Sequence, residues 1–335
     1  MKKQTTIAMA LTMGLMMLVG CNKINESVPG SGFRASIEHS GGKTHISPDW
    51  GNDVTTDILW SEHDRIKVAN QGGQTGCQVH TFELAEGENT TMGLFYTGEQ
   101  IGDFFEPGYM AIYPARNAEG VENTISGTTA TFHIPETQYY KENSFGEGSL
   151  PMVAYSETQS LSFKNLLGGL CVPITGGDVL VKRIVLISNN PSDNLCGTFT
   201  VECDGGNNNY SLTSQNATPC PSVTLDCGDG VQLNANDSVF FCIMVPPGTM
   251  CGTGENAGFR IDVYNTDYDW VNTLSAPINP NITRNKISLV STKQDVGENP
   301  YADLDHGDLL MLCLYAILAM GVVWARRLRL GRVES

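Results

Sequence analysis

The chain is poor in positive charge. It has 20 Lys and Arg against 36 Asp and Glu, which gives a formal net charge of −16 at pH 7. A surface this acidic repels the phosphate backbone of nucleic acids, and no basic stretch interleaved with aromatic residues compensates for it. The composition therefore argues against nucleic acid as a partner.

Long amphipathic helices are also missing. Charged residues make up only 17% of the 335 residues, Gly contributes 36, and no run between the two ends shows sustained helical periodicity. Apolar and polar residues instead alternate at Thr129–Ile134 and Phe259–Asn265, as in half-buried strands. Val179–Ile187 and Val239–Val245 are apolar on both faces, as in central strands of a sandwich. The sequence predicts an all-β protein built from antiparallel sandwiches.

The sequence has no recognisable catalytic motif. It contains no H-E-x-x-H, no G-x-S-x-G and no P-loop, and no His lies between positions 134 and 305. Two Asp-rich stretches, 226–230 and 267–269, fit turns better than calcium loops. The scattered histidines suit surface or satisfied strand positions, and Trp50, Trp60 and Trp270 suit a core as well as a sugar-stacking surface. We expect no enzyme, no cofactor and no metal site.

Eight cysteines lie in the body of the chain, and six of them fall between positions 196 and 251. An even number in an exported protein favours disulfides, although eight cysteines allow many pairings. The alternative is that these cysteines are free and buried as small apolar residues. The candidates for disulfide formation are Cys196, Cys203, Cys220, Cys227, Cys242 and Cys251.

The amino terminus has the features of a secretory signal. Lys2 and Lys3 precede an apolar stretch, which ends in Leu18-Val19-Gly20-Cys21. This ending resembles the lipobox of bacterial lipoproteins, in which the cysteine is acylated after cleavage just before it. The alternative is an ordinary signal peptide that happens to contain a cysteine. We expect Cys21 to carry the lipid and to anchor the protein to a membrane.

The carboxyl terminus carries a second apolar stretch. Leu309–Ala325 has no charged residue, and Arg326, Arg327, Arg329 and Arg332 follow it directly. Its length is at the short limit for crossing a bilayer, and the arginines obey the positive-inside bias. We expect a transmembrane or removable sorting helix, with a buried core helix as the alternative.

Six short segments follow one another along the chain: Ile58–Val68, Gly108–Pro114, Ile134–Gln138, Ser162–Leu170, Val245–Thr249 and Thr283–Ile287. Each segment alone is a weak signal, and the order of all six carries a resemblance. Together they resemble the fimbrillin-like lipoproteins of Bacteroidetes, which are related to type V pilins.

The resemblance implies two transthyretin-like β-sandwiches in an exported lipoprotein. The expected layout is a signal peptide at 1–20, a tether at 21–32, sandwiches at 33–157 and 158–293, an acidic linker at 294–308, the hydrophobic helix at 309–325 and a basic tail at 326–335. Some members of the family form pili, and others anchor or tip them.

Two departures from the polymerising members stand out. Those members lose an N-terminal segment at an arginine, and here Arg34 is the candidate processing site, although it lies within what looks like the first strand. They also end in a strand available for donation, whereas this chain continues into a linker and an apolar tail.

We therefore expect a non-enzymatic surface adhesin or pilus accessory or anchor subunit. Its partners would be pilin-like subunits, surface proteins or glycans, and its location the outer membrane or cell surface rather than the inner membrane. The alternative is a glycan- or nutrient-binding surface lipoprotein.

Overall fold

The computed structural model describes residues 32–38, 58–70, 77–101, 104, 107–142, 144–177, 179–203, 210–265, 270–276, 279–290 and 294–295. These residues form strands and turns with short 3-10 segments, so the all-β prediction is confirmed. None of the helices within these ranges is long and apolar enough to cross a membrane. The predicted signal peptide, Cys21 and the apolar segment Leu309–Ala325 lie outside the described residues.

The described residues form twenty strands. Those of the first half are β1 (Gly32–Ile37), β2 (Arg65–Asn70), β3 (Gln78–Glu86), β4 (Met92–Tyr96), β5 (Tyr109–Tyr113), β6 (Thr124–Ser126), β7 (Thr129–Ile134), β8 (Thr137–Tyr139), β9 (Met152–Ser156) and β10 (Ser160–Asn165). Those of the second half are β11 (Gly168–Thr175), β12 (Leu180–Ser188), β13 (Gly197–Glu202), β14 (Thr213–Ser214), β15 (Ser222–Gln232), β16 (Val239–Val245), β17 (Phe259–Tyr264), β18 (Trp270–Ala276), β19 (Ile287–Leu289) and β20 (Gln294–Asp295).

The first sheet closes into a barrel instead of forming the expected sandwich. Its order is β1-β10-β9-β5-β2-β3-β4, and closure occurs because β1 pairs with β4 on one side and with β10 on the other. Closure leaves no free strand edge. The interior is rich in aromatic rings, including Phe33, Phe82, Phe95 and Phe163.

Two further sheets pack face to face in the second half. One has the order β16-β11-β19 with β20 also paired to β11, and the other has the order β18-β17-β12-β15-β8. Their shared core is mainly aliphatic, with Leu170, Val172, Ile184, Leu225 and Ile261 among its buried members. This is a two-layer arrangement of the kind that the sequence predicted, although the number of sandwiches is not confirmed.

The fourth sheet, β14-β13-β7-β6, packs on the outside of the barrel. Phe132 of β7 and Val201 of β13 share a core with Met110, Ile112 and Val153, which are on barrel strands. The strands of the two predicted units are therefore mixed. β10 closes the barrel, β13 pairs with β7, and β8 pairs with β15. The division at 157/158 stays a prediction.

The strand predictions had different outcomes. The alternation at Thr129–Ile134 and Phe259–Asn265 is confirmed, since the predicted inward residues are buried. Val239–Val245 was expected at the centre of a sheet, and this is wrong: β16 is at the end of its sheet within the described chain. The sequence of β16 resembles that of a central strand because its residues are buried by packing. Met244, for example, packs against the barrel core. The predicted linker also begins with β20, which pairs with β11.

Candidate functional site

The first two family-like segments meet at the mouth of the barrel. The Tyr113 phenol donates a hydrogen bond to Asp64 Oδ1 at 2.8 Å, and the Ser61 backbone N–H donates to Asp64 Oδ2 at 2.7 Å. The Trp60 ring lies edge-on to Tyr113, with 5.4 Å between the ring centroids. Trp60 is only 1% exposed. It is therefore a core residue and cannot serve as a sugar-stacking surface.

Asp64 is an acid in a mostly buried position. Desolvation by burial raises its pKa to about 6, although the hydrogen bonds from Ser61 and Tyr113 act in the opposite direction. Burial together with the neighbouring Asp64 charge raises the pKa of Tyr113 well above its usual value. Glu147 raises the pKa of both groups further. Tyr113 is thus a hydrogen-bond donor in contact with a titratable acceptor, Asp64, which is only 4% exposed.

Gln138, the last residue of the third segment, contacts Met244, which directly precedes the fifth segment. The Gln138 side chain is fully buried, donates from Nε2 to the Met244 carbonyl at 2.7 Å and accepts at Oε1 from the Met244 N–H at 2.9 Å. The amide of one side chain thus pairs with both backbone groups of a residue on the edge strand β16, as a neighbouring strand would. Gln138 therefore fixes β8 against β16.

The fourth and sixth segments meet at Asn165. Arg284 Nη1 donates to the Asn165 carbonyl at 2.8 Å and forms an ion pair with Glu38. Glu38 Oε1 in turn accepts from the Asn165 N–H at 2.7 Å. Leu167 accepts from the Asn285 N–H at 2.9 Å next to this cluster. The residue order in the segments predicted none of these contacts, and Glu38 gave no signal in the sequence.

Two cavities flank the Asp64–Tyr113 pair. One is a cleft of about 170 Å³ with a largely apolar lining, which includes Trp60, Phe145 and Leu150. The other, here called the wide groove, has a volume of about 850 Å³ and a lining of mixed charged and apolar residues. Asp64, Tyr113, Glu147 and Gly148 line both. The groove is large enough for a small-molecule or oligomeric ligand.

The described residues hold no group of three metal-ligating side chains. His63 is near Glu83 and His80 is near Glu99, both at ion-pair distances, and His133 is hydrogen-bonded to Thr198. Asp226 accepts from the Gly228 N–H at 2.8 Å, which is a turn contact. Of the other Asp-rich stretch, 267–269 lies outside the described residues, as does Trp50.

Four of the body cysteines are paired in the structure. Cys196 is bonded to Cys220, and Cys171 on β11 is bonded to Cys242 on β16. Cys203 and Cys227 are buried thiols, whereas Cys77 and Cys251 are exposed ones. Burial raises the pKa of the Cys227 thiol to about 12, so it stays protonated and unreactive. Disulfide formation in the exported protein stays a prediction.

Arg34, the candidate processing residue, is the third residue of β1. It is opposite Ser160 on one side and Leu94 on the other, and its N–H donates to the Gln159 carbonyl at 2.9 Å. A protease binds its substrate as an isolated extended segment. Cleavage at Arg34 would therefore require β1 to leave the barrel.

Comparisons with known proteins find structural neighbours only. No family model and no curated protein match the chain. A proposed cell adhesion protein from Bacteroides ovatus is 14% identical, with a TM-score of 0.43 over 76% of this chain and 87% of that one. Another from Bacteroides uniformis is 15% identical, with a TM-score of 0.44 over 78% and 93%.

A fimbrial assembly protein from Parabacteroides distasonis is 10% identical, with a TM-score of 0.34 over 78% of this chain and 90% of that one. These neighbours carry the names of the class of protein that the six segments resemble. Because the identities and scores are this low, no function, partner or site residue is transferred from them.

Proposed function

We propose that the protein is a non-enzymatic, lipid-anchored protein of the cell envelope that acts as a fimbrillin-like surface adhesin or as a pilus accessory or anchor subunit. The ordered set of six segments is the observation that carries the proposal. The contacts support it, because two pairs of segments meet, at Asp64–Tyr113 and at Asn165–Arg284. The third segment also contacts Met244, the residue before the fifth segment, through Gln138. Their residues therefore serve one fold rather than a catalytic centre.

In this proposal the folded sheets would present a binding surface to a partner. The barrel offers no free edge, but β18 is the last described strand of its sheet and is paired only with β17. An extended segment of another subunit could add to such an edge through main-chain hydrogen bonds. The position of Arg34 inside β1 supports an accessory or anchor role over that of a shaft subunit.

Attachment would depend on the two ends of the chain. Cys21 would carry the acyl chains, and Leu309–Ala325 would insert into a membrane or act as a sorting signal. Removal of everything after Asp295 should then leave the denaturation midpoint of the body unchanged and alter its location. A large fall in the midpoint would show instead that the apolar segment is part of the core.

The proposal is tested on cells. Deletion of the gene should reduce adhesion or alter surface pili in electron micrographs, and the wild-type gene should restore them. Cys21→Ala should abolish labelling with radioactive palmitate and leave an unprocessed precursor. Cys251→Ala removes an exposed thiol of the body and should leave labelling unchanged. Labelling of the Cys21→Ala protein, or a deletion strain with unchanged surface and adhesion, would contradict the proposal.

The alternative function, a glycan- or nutrient-binding surface lipoprotein, is favoured by one observation. The wide groove beside Asp64 has an exposed tyrosine, Tyr139, in its lining.

A further inference from the structure

The wide groove has a floor held by hydrogen bonds. The side chain of Asn117 accepts from the backbone N–H groups of Glu119 and Val121 at 3.0 and 2.8 Å and donates to the His133 carbonyl at 3.0 Å. Asn123 donates to the Pro114 carbonyl and accepts from the His133 N–H, both at 2.8 Å. Both asparagines are buried. The loop that forms the floor is therefore ordered before a ligand arrives, which lowers the entropic cost of binding.

The three cations around the groove are all ion-paired to carboxylates, and two of them share one glutamate. Arg65 donates from Nε and Nη2 to Glu83 Oε2 at 3.0 and 2.9 Å. Arg116 and Lys67 both form ion pairs with Glu122. Hydrogen bonds from these partners, and from His63 to Glu83, hold the pKa of both carboxyls below the usual range. Both glutamates therefore stay ionised at neutral pH.

This pairing determines which ligands suit the groove. An anion needs a cation without a compensating carboxylate, whereas a hydroxyl group both donates and accepts a hydrogen bond. The arginines have further N–H donors beyond those bonded to the glutamates, and a carboxylate can accept several hydrogen bonds. Asp64 and Glu147 also line the groove, so its carboxylates offset all three cations. The groove thus offers donors and acceptors with no excess of positive charge.

Tyr139 adds an apolar surface at the groove. It is the last residue of β8 and is 46% exposed. Among the exposed large hydrophobic residues of the described chain, it is the one that lines this groove. A tyrosine ring presents an apolar face with a polar tip, which suits the face of a sugar ring whose hydroxyls point sideways.

We propose that this groove binds a neutral oligosaccharide, with one pyranose ring against Tyr139 and its hydroxyl groups bonded to Arg65, Arg116 and Glu122. The inference rests on the proposed function, because it names the class of surface molecule that the adhesin would recognise. In this view the groove is the recognition site, and the contacts among the six segments keep its shape.

The test uses the full-length protein in detergent. The probes are an array of immobilised neutral oligosaccharides (glucans, mannans, galactans and N-acetylhexosamine oligomers) and an array of uronic acid and sulfated oligosaccharides. Tyr139→Ala should weaken binding of the neutral probes about tenfold or more. Tyr155→Ala removes a tyrosine on β9 that does not line the groove and should leave affinity unchanged. Glu122→Gln should raise binding of the acidic probes, because it leaves Arg116 and Lys67 uncompensated.

Several outcomes would overturn the inference: binding of no neutral probe, binding of acidic probes alone, or equal binding by the Tyr139→Ala and wild-type proteins. Circular dichroism of each variant establishes that it is folded. Palmitate labelling and cell adhesion are measured on the same variants. If labelling and adhesion persist while no saccharide binds, the inference fails and the proposed function stands. If adhesion does not depend on the protein, the proposed function fails.

Discussion

The barrel and the two-layer half deal with strand edges in different ways. The barrel removes them by closure and fills its interior with aromatic rings that contact edge-on, such as Trp60 against Phe95 at 4.9 Å. Among the described residues, the two sheets of the two-layer half end in strands such as β16 and β18. This half has an aliphatic core, a side-chain amide on the edge of β16 and a cysteine pair between β11 and β16. The comparison suggests that the barrel is the rigid frame and that the other half depends on added cross-links.

The largest effect expected of a single change is in the barrel. Trp60→Ala should lower the free energy of unfolding by about 3–5 kcal/mol, because it empties a fully buried site among Phe95, Tyr113 and Phe163. The measurement is denaturant unfolding with hydrogen exchange read separately on barrel and two-layer peptides. Leu59→Ala, at an exposed neighbour, should cost less than about 0.5 kcal/mol.

The same experiment tests how separate the two regions are. Since β8, β10 and β13 cross between the halves, we expect exchange protection to fall in both regions together. Loss of protection in the barrel alone would show that the halves unfold independently.

The next effect concerns the two cysteine pairs. Cys171–Cys242 lies within the two-layer half, and Cys196–Cys220 lies next to β13 of the fourth sheet. Reduction of the protein should remove about 2–4 kcal/mol for each pair, because the bonds close loops of 71 and 24 residues in the unfolded chain. Mass spectrometry of alkylated, unreduced protein should find free thiols at Cys77, Cys203, Cys227 and Cys251. Eight free body thiols would mean that these cysteines act only as small apolar residues. Cys251→Ser should change neither the midpoint nor its dependence on reductant.

Asp64 should make the barrel side sensitive to pH. Its folded pKa of about 6 is above the ordinary value of 3.8, so its contribution to stability is present below pH 3.8 and is lost as the pH rises through 6. As the pH rises from 4 to 7, the free energy of unfolding of Asp64→Asn should therefore increase by about 2–3 kcal/mol relative to that of wild type. Glu122→Gln should show the opposite sign, because the pKa of that carboxyl is lowered. A difference between Asp64→Asn and wild type that does not vary with pH would contradict the assignment.

The smallest of the four effects concerns the link between the regions. Gln138→Ala leaves the buried N–H and C=O of Met244 without their side-chain partner and should cost about 2 kcal/mol in the free energy of unfolding. Gln215→Ala, whose side-chain hydrogen bonds are exposed, is the matched control and should cost less than about 0.5 kcal/mol. Equal midpoints for the two variants would show that the edge of β16 does not need Gln138.

Local patterns in the sequence determined much of the secondary structure. Alternation at Thr129–Ile134 and Phe259–Asn265 was sufficient to place two strands and their buried faces, because side-chain direction in a strand has a period of two residues. The lack of helical periodicity was sufficient for the all-β fold class.

Only the tertiary structure decided how those strands combine. Closure of the barrel depends on β10 reaching β1, a pairing between residues 34–37 and 160–163 that no local pattern encodes. The edge position of β16 was hidden, because apolar residues covered by other elements look the same as those of a central strand. The groove beside Tyr139 joins segments far apart in the chain, from His63 to Gly148. Contacts between distant residues depend on how the sheets pack, and a single sequence does not specify that packing by its periodicity.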